Sequence, residues 1–377
     1  MNLSRRGWAC TLAAVQDPKH GNPSPMAVNT KRVFYVDHVA ATNFLDILAG
    51  RPDIRVDRLE NDSSAPGADA VLAAAHAFQI GSARDELDVG FHAHAALLTR
   101  TPDLLVISTN GAGYDTVDLD ACTAAGVLVV NQAGGNKEAV AEHALAMMLC
   151  LAKRIIETDR FMRRSDGIER NAFMGTELKG KTLGIIGIGH VGGRLAELCK
   201  ALFGMRILAV DPYLTDAQIA AKGAEKSTLA AMLPVADFVS INCPRTAETV
   251  GLMDAAAFGL MQKHAYFVTT ARGGIHDEVA LEAALREKRI AGAGLDVWFK
   301  EPPPKDHPLM AFDNVLVSPH TAGVTRESRA NIARIAAEQM LDILDGKPAS
   351  RVLNPAVWPA FAVRFEKVFG FAPKQNG

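Results

Sequence analysis

The sequence is poor in cysteine, has no excess of basic charge and contains no apolar run of membrane-spanning length. Its five cysteines, Cys10, Cys122, Cys150, Cys199 and Cys243, are odd in number, widely spaced and free of any C-x-x-C pair. That sets aside a disulfide framework and a paired-thiol metal site, and makes a reducing cytoplasm the expected setting. Lys and Arg total 40 against 42 Asp and Glu, a formal net charge of −2, so no basic field exists to gather nucleic acid. The longest apolar candidate, near Ala139 to Ala152, is interrupted by Glu142 and His143 and falls short of the roughly 20 residues that a membrane helix needs. No internal repeat or low-complexity tract is present. What remains is 49% hydrophobic and 22% charged residues over 377 positions, an ordinary soluble balance in a chain long enough for two domains. Small molecules are the expected partners, with no nucleic acid, membrane or metal.

The stretch from Lys181 to Asp211 reads as strand, glycine turn, helix, strand. Gly187, Gly189 and Gly192 close a β-branched run and open an amphipathic helix, and a second apolar strand ends in Asp211 about 20 residues on, the full dinucleotide-binding context. Gly187 allows the tight turn, Gly189 lets backbone approach a pyrophosphate without a Cβ in the way, and Gly192 lets the helix pack close to the strand. The helix N-terminus offers free N–H groups and a partial positive charge to phosphates. Asp211 stands where a carboxylate accepts from both ribose hydroxyls and repels a 2′-phosphate, so NAD(H) is expected rather than NADP(H).

Along the chain, residues up to about Pro25 carry few periodic apolar positions and are expected to be unstructured. Arg5-Arg6 faintly echoes an export signal, but the apolar run ends by Val15 and no cleavage site follows. Met26, directly before the first strand, is the expected original start. Strands are expected at Arg32–Val36, Ile54–Leu59, Ala70–Ala74, Leu104–Ser108 and Val127–Val130, with helices near Thr42–Leu48, Asp85–Leu98 and Asp118–Ala125. A long helical segment, Lys137 to Arg164, leads out of this first unit. After Asp211 the alternation resumes with strands Phe238–Asn242, Ala265–Thr269, Ala291–Val297 and Val315–Ser318 and helix Asp277–Lys288. The last long helix, Arg326 to Asp345, follows a completed dinucleotide domain and is expected to return to the first. The expected architecture is α/β: two doubly wound parallel-sheet domains, a Rossmann NAD-binding domain (136–320) inserted into a flavodoxin-like substrate domain (28–135, completed by 321–350), flanked by an extension (1–27) and a tail (351–377).

Three side chains sit just past strands on the same half of the second domain: Arg272, Glu301 and His320. Ligands in a parallel sheet bind beyond the carboxyl ends of the strands, so all three can converge on one cleft. The chemistry of carbonyl reduction asks for these types. Hydride arriving at C2 of a 2-oxo acid leaves charge on the carbonyl oxygen, which a donor titrating near neutrality must protonate, and imidazole fits. A carboxylate beside it favours the imidazolium and fixes the ring. The planar fork of Arg donates two fixed bonds to a carboxylate or carbonyl.

The glycine turn, Ala271-Arg-Gly-Gly274, Leu295-Asp-Val followed by Glu301-Pro-Pro, and Ser318-Pro-His-Thr-Ala-Gly323, in this order and spacing, resemble the D-2-hydroxyacid dehydrogenase family, which includes phosphoglycerate dehydrogenases and glyoxylate/hydroxypyruvate reductases. The likeness covers roughly residues 30 to 350. It implies that Arg272 holds the substrate carboxylate and polarises the carbonyl, that His320 is the proton donor and that Glu301 orients and charges it. It also implies that Asn110, Gly111, Ala112 and Gly113 form a carboxylate loop, the two glycines presenting backbone N–H groups. Asp296 resembles the acid that meets the nicotinamide carboxamide. His190 and Val191 would lie under the pyrophosphate and Cys243-Pro244 near the adenosine, with Pro212, Thr249, Ala271 and Gly323 completing the cofactor cleft. Val140-Ala-Glu-His143 resembles the start of the family's interdomain helix. A homodimer is expected from the resemblance.

Phosphoglycerate-specific members carry a basic, hydroxyl-rich strand end in the first domain. The place read as its match, Val71 to Ile80, has no Arg or Lys, which favours an unphosphorylated 2-oxo or 2-hydroxy acid, with His76, Phe78 and Gln79 beside its side chain. The chain ends soon after the returning helix, so a regulatory ligand-sensing domain is not expected. Glu301 argues against formate dehydrogenases, which pair the His with an amide. The alternating pair His92 and His94 lies in a helical pattern with no third ligand, so no metal site is read there. The tail, with Trp358 and the apolar Val363–Phe371, is read as packing or a dimer contact. Two rivals stay open: an NAD(H)-sensing corepressor-like binding protein of the same fold, and a phosphoglycerate dehydrogenase.

Overall fold

The computed structural model describes residues 30–167 and 169–375. The expected N-terminal extension, with Arg5, Arg6, Cys10 and Met26, lies outside the described residues.

In the first unit short, largely apolar runs, with charged residues confined to β1's start and the edge strand β2, pair side by side while the segments between them coil into helices, as parallel strands require. Strands β1 (Lys31–Val36), β2 (Ile54–Leu59), β3 (Ala77–Ile80), β4 (Val106–Thr109) and β5 (Leu128–Val130) form a parallel sheet in the order β2-β1-β3-β4-β5, the flavodoxin-like order. The second unit holds β6 (Thr182–Ile186), β7 (Arg206–Val210), β8 (Glu225–Lys226), β9 (Phe238–Ile241), β10 (Tyr266–Thr269), β11 (Gly292–Leu295) and β12 (Val315–Val317), in the order β12-β11-β10-β9-β6-β7-β8. All of these pairs are parallel too. The order reverses between β6 and β9, which opens a crevice at the carboxyl ends of those strands. The two α/β units therefore have the expected fold class.

Each sheet has a core on both faces. Phe34 and Phe78 stack across β1 and β3 with centroids 4.1 Å apart. On the other face Phe44, Val33 and Val106 meet Ala333, Ala336 and Met340 of helix Arg326–Leu344. That helix is fastened at its end by charge: Asp345 accepts from Lys31 at 2.6 Å and from Arg51 at 2.8 Å, and both cations also reach Asp53. The Arg51 hydrogen bond, ahead of that from Lys31, outweighs desolvation and pulls the Asp53 carboxyl down to about 2.

The chain passes between the units twice. It leaves through Gln132–Asn136 into helix Lys137–Ala152 and comes back through Thr321–Thr325. The two crossings touch: Asn331 Nδ2 donates to Gly135 O at 2.8 Å, and a Cβ on Gly323 would lie 3.0 Å from Asn136 Nδ2.

Three expectations need correction, and the tail packs as one of its two readings had it. Ala70–Ala74 is not a strand but part of helix Ala68–Ala73, because an alanine-rich run has the highest helix propensity; the strand begins at Ala77. Asp85–Leu98 is not one helix: turns Arg84–Glu86 and Val89–Phe91 precede helix Ala95–Arg100, and the Asp88 carboxylate takes the Gly90 N–H that a helix would need. Lys137–Arg164 is two helices, Lys137–Ala152 and Ile155–Arg164, broken where Arg154 adopts φ 53° and Thr176 N–H takes the Ala152 carbonyl. The tail forms helix Trp358–Phe369, which buries Phe361 and Phe365 in the first unit's own core, leaving Val363 exposed. No helix among the described residues is long and apolar enough to cross a membrane.

Candidate active site

At the crevice of the second sheet, β6 runs on into Gly187, whose φ of 85° and close neighbour both demand glycine: a Cβ there would stand 2.7 Å from Cys243 N. Gly192 faces the same constraint from the helix side, since its Cβ would lie 2.2 Å from Gly187 O. Gly189 is different. A Cβ on it would meet nothing within 4 Å, so its smallness serves no contact inside the protein and leaves room for another molecule. Helix His190–Phe203 begins there, and its first-turn N–H groups lack intrahelical acceptors. Asp211, after β7, accepts from Ile188 N at 3.2 Å and Tyr213 N at 3.1 Å, so it braces the glycine turn as well as standing at the end of its strand beside Pro212.

Cys243 and Pro244 follow β9 and cross over Gly187. Burial pushes the Cys243 thiol up to about 11, which keeps it neutral. Thr249 spends its hydroxyl on this loop, donating to Pro244 O at 2.8 Å and accepting from Thr246 N at 2.8 Å. Tyr213 donates its hydroxyl to Glu248, joining the loops after β7 and β9. Val191 packs inward on the helix, while the His190 ring lies under Gly134. Burial, then the charges of Lys222, Lys137 and Arg351, hold His190 below the ordinary imidazole value. Those three cations around the turn were not singled out in the sequence; they lie far apart along it, and only the fold gathers them. Open space at Gly189, a helix start, a strand-end carboxylate and flanking cations together fit an adenine dinucleotide.

The catalytic candidates come from three successive strand ends. Arg272 follows β10 past Thr270 and Ala271, Glu301 follows β11 and His320 follows β12. His320 Nδ1 lies 2.7 Å from Glu301 Oε2, and the other carboxylate oxygen accepts from Trp298 N at 3.1 Å. Burial works against the Glu301 charge, but the His320 hydrogen bond and charge, the Trp298 N–H and the Arg272 charge outweigh it and hold the carboxyl below its ordinary value. His320 takes φ 55°, unusual for a side-chain-bearing residue. Fully buried Asp296 holds it there. Its backbone carbonyl accepts from His320 N at 2.7 Å, and its carboxylate accepts from Ser318 Oγ, Thr321 N and Ala322 N at 2.6 to 2.9 Å. His143, on the interdomain helix, reaches Ser318 Oγ at 3.0 Å. Asp296 is thus seen bracing the histidine turn that ends at Gly323.

The loop after β4 faces these groups across the cleft. Arg272 Nε donates to Asp115 Oδ2 at 3.0 Å, and Nη2 lies so near Gly113 that a Cβ there would stand 1.9 Å from it. Of the expected backbone donors, Gly111 N–H is already given to Gln132 Oε1 at 2.9 Å, so Gly111 serves the turn, at φ 83°. The N–H groups of Ala112 and Gly113 have no acceptor among the described residues. Asn110 accepts from Gln79 Nε2 at 2.8 Å through its side chain and from Ser82 Oγ at 2.8 Å through its carbonyl.

His76 does not belong here. It precedes β3 at the amino end of the sheet, where Nδ1 accepts from Arg32 N at 2.9 Å and the ring packs on Phe369. Phe78 is likewise core, stacked on Phe34. Misplacing β3 also misplaced its carboxyl end, which is Gly81 to Arg84 and carries both a hydroxyl and an arginine. The absence of Arg and Lys from Val71–Ile80 therefore has no bearing on a substrate phosphate.

A family model described as D-isomer specific 2-hydroxyacid dehydrogenase, NAD binding domain, matches residues 145–322. The chain is 40% identical over 267 residues to the D-3-phosphoglycerate dehydrogenase of Archaeoglobus fulgidus, covering 71% of this chain and 50% of that one. It is 40% identical over 267 residues to the glyoxylate reductase of Aeropyrum pernix, covering 69% and 79%. The chain spans about half the length of the curated D-3-phosphoglycerate dehydrogenases it matches. The solved D-lactate dehydrogenase of Aquifex aeolicus, complexed with NAD and lactic acid, aligns with a TM-score of 0.71 and 27% identity over 83% of this chain and 96% of that one.

Proposed function

We propose, for a chain that belongs to the D-isomer-specific 2-hydroxyacid dehydrogenase family, the activity of an NAD-dependent 2-oxo acid reductase, reversible to 2-hydroxy acid oxidation. The single observation that carries this reading is the His320–Glu301 pair at 2.7 Å, on the same side of the cleft as the Arg272 guanidinium and across it from the N–H groups of Ala112 and Gly113, which have no acceptor among the described residues. NADH, when bound at the Gly187–Gly192 turn, supplies the hydride that C2 receives. Arg272 and the two loop N–H groups hold the substrate carboxylate, which fixes the carbonyl in place. His320 gives a proton to the carbonyl oxygen as charge develops there, and Glu301 stabilises the imidazolium before transfer and keeps the ring aimed. Asp296 holds the turn that presents the histidine, in addition to its expected place beside the nicotinamide.

The substrate is read as an unphosphorylated 2-oxo acid, because the arginines nearest the loop are already engaged: Arg84 on Asp115 O and Arg245 on the Asp115 carboxylate. Ser82 and Arg84 at the end of β3 favour a second reading, 3-phosphoglycerate dehydrogenase. A cytoplasmic homodimer completes the proposal. Its support is helix Ile155–Arg164, which buries none of its residues and exposes Ile155 and Met162.

The test is NADH oxidation by purified protein with glyoxylate, hydroxypyruvate, pyruvate, bulkier 2-oxo acids and phosphohydroxypyruvate, with NADPH in parallel. Rapid turnover of an unphosphorylated acid supports the first reading and turnover of phosphohydroxypyruvate alone the second. Tight NADH binding without turnover of any acid would sink both in favour of a sensor.

A further inference from the structure

Arg272 receives little guidance from its own strand. Among the described residues, its guanidinium's sole hydrogen bond to the dinucleotide unit is Nη1 to the Ala271 carbonyl, one residue away, at 2.8 Å. Everything else that fixes the guanidinium comes from the other unit. Asp115 takes Nε, and the bare Cα of Gly113 admits Nη2. Asp115 is itself shared, because its second oxygen accepts from Arg245 Nη2 at 2.8 Å. Arg245, after β9, also reaches Gly273 O, beside Arg272, at 3.4 Å. Behind the loop, Arg84 donates to the Asp115 carbonyl at 3.2 and 3.4 Å. The side chains of Asp115, Arg245 and Arg272 are 21, 29 and 26% exposed, sheltered enough for the pairs to count for more than surface ion pairs. One carboxylate thus spans the cleft and separates two cations that would otherwise repel.

We propose that Asp115 is a positioning residue for Arg272, steadied by Arg245, so that the working placement of the carboxylate-binding arginine is created by closure of the two units. Arg272 then presents Nη2 toward the free N–H groups of Ala112 and Gly113 only when the cleft is shut. The inference rests on the proposed role of Arg272 for its kinetic readout and on the structure alone for its mechanical one.

The test uses the full chain and whichever 2-oxo acid the wild type reduces fastest. In Asp115→Asn one amide oxygen must serve two guanidinium groups. kcat/KM is expected to fall by about tenfold to about a hundredfold, the loss of one charge-assisted hydrogen bond, with most of the change in KM and NADH affinity unchanged. Removing the competitor in Asp115→Asn/Arg245→Met frees the amide oxygen for Arg272, and at least about threefold of the loss should return. A merely structural ion pair predicts a double variant no better than Asp115→Asn. Hydrogen exchange of the 110–117 and 243–248 segments is followed in the same proteins and should quicken in Asp115→Asn. Wild-type kinetics in Asp115→Asn, or no recovery in the double variant, overturns the inference. If the wild type reduces no acid, the proposed function fails, and the exchange rates decide alone: faster exchange sustains the clasp, unchanged exchange refutes it.

Discussion

The Cα of Gly113 lies directly beneath the Arg272 guanidinium, with space for a hydrogen and none for a methyl group. Gly113 is not at positive φ, so Gly113→Ala carries no backbone penalty and acts by steric displacement of Nη2. A misplacement of about 1 Å can cost about a hundredfold in rate. The variant is expected to keep its melting temperature and NADH affinity while kcat/KM for the oxo acid falls by about that factor. Steady-state kinetics beside a melting curve checks it, and unchanged kcat/KM would remove the contact from the mechanism.

His320→Gln should lower the maximal reduction rate by about 10²–10⁴-fold, the usual worth of a general acid, with NADH fluorescence titration unchanged. Turnover within a few-fold of wild type would mean that the proton comes from elsewhere.

Glu301 is held in its charged form, below the ordinary carboxyl value. Its contribution is therefore present at neutral pH and lost as pH falls through that lowered value. Glu301→Gln keeps the shape and removes the charge that favours the imidazolium. The descending limb of reduction rate against pH should move acidward, by about one unit or more. A pH–rate profile that superposes on the wild type's would leave Glu301 with an orienting role at most.

Asp211→Asn keeps one acceptor oxygen where the two carboxylate oxygens had separately served the Ile188 and Tyr213 N–H groups, and it drops the charge expected to repel a 2′-phosphate. The ratio of kcat/KM with NADH to that with NADPH should fall by at least about tenfold, since like charges brought together cost several kcal/mol. Kinetics with both cofactors measures it; an unaltered ratio would take cofactor choice away from this acid.

His276 is a prediction of stability rather than catalysis. It is buried against Phe267, neither ring nitrogen has a partner among the described residues, and burial drives it down to about 4. An unfolded histidine titrates near 6.5, so between those values the unfolded chain binds the extra proton. Stability is full above about pH 6.5 and declines as pH falls toward 4. His276→Leu should flatten that decline and be neutral or stabilising at pH 7.5. Melting curves from pH 4.5 to 7.5 would test this, and parallel curves for the two proteins would exclude His276 as the cause.

The glycine turn was legible in the sequence because Gly187 and Gly192 answer constraints lying within a few residues or a single strand crossing, and Gly189 stands between them where a ligand needs room. Arg272, Glu301 and His320 were legible for a related reason: the parallel strands before them place their ends on one edge. Asp115 and Arg245 were not, since each gains its meaning from partners on another sheet, and an acid after a glycine loop carries no mark of what it will face. His76 was misassigned because an alanine-rich helix was read as a strand, which shifted the strand end by several residues. The returning helix was anticipated, yet the charges that fasten it, Lys31, Arg51, Asp53 and Asp345, looked like ordinary surface groups in the sequence.

The two touching crossings at Gly135–Asn136 and Gly323–Asn331 act as paired tethers. Two short tethers fixed side by side remove sliding and twisting between the bodies they join and leave one soft rotation, about the line through both. Groups of the carboxylate loop ride on one body, and Arg272, Glu301 and His320 ride on the other. Any opening must therefore part Gly113 from Arg272 along a single arc while the His320–Glu301 pair travels intact. For the proposed reaction, substrate arrival and departure would then be a one-coordinate process, in which the His320–Glu301 pair stays assembled and only the Arg272–loop grip is remade each cycle.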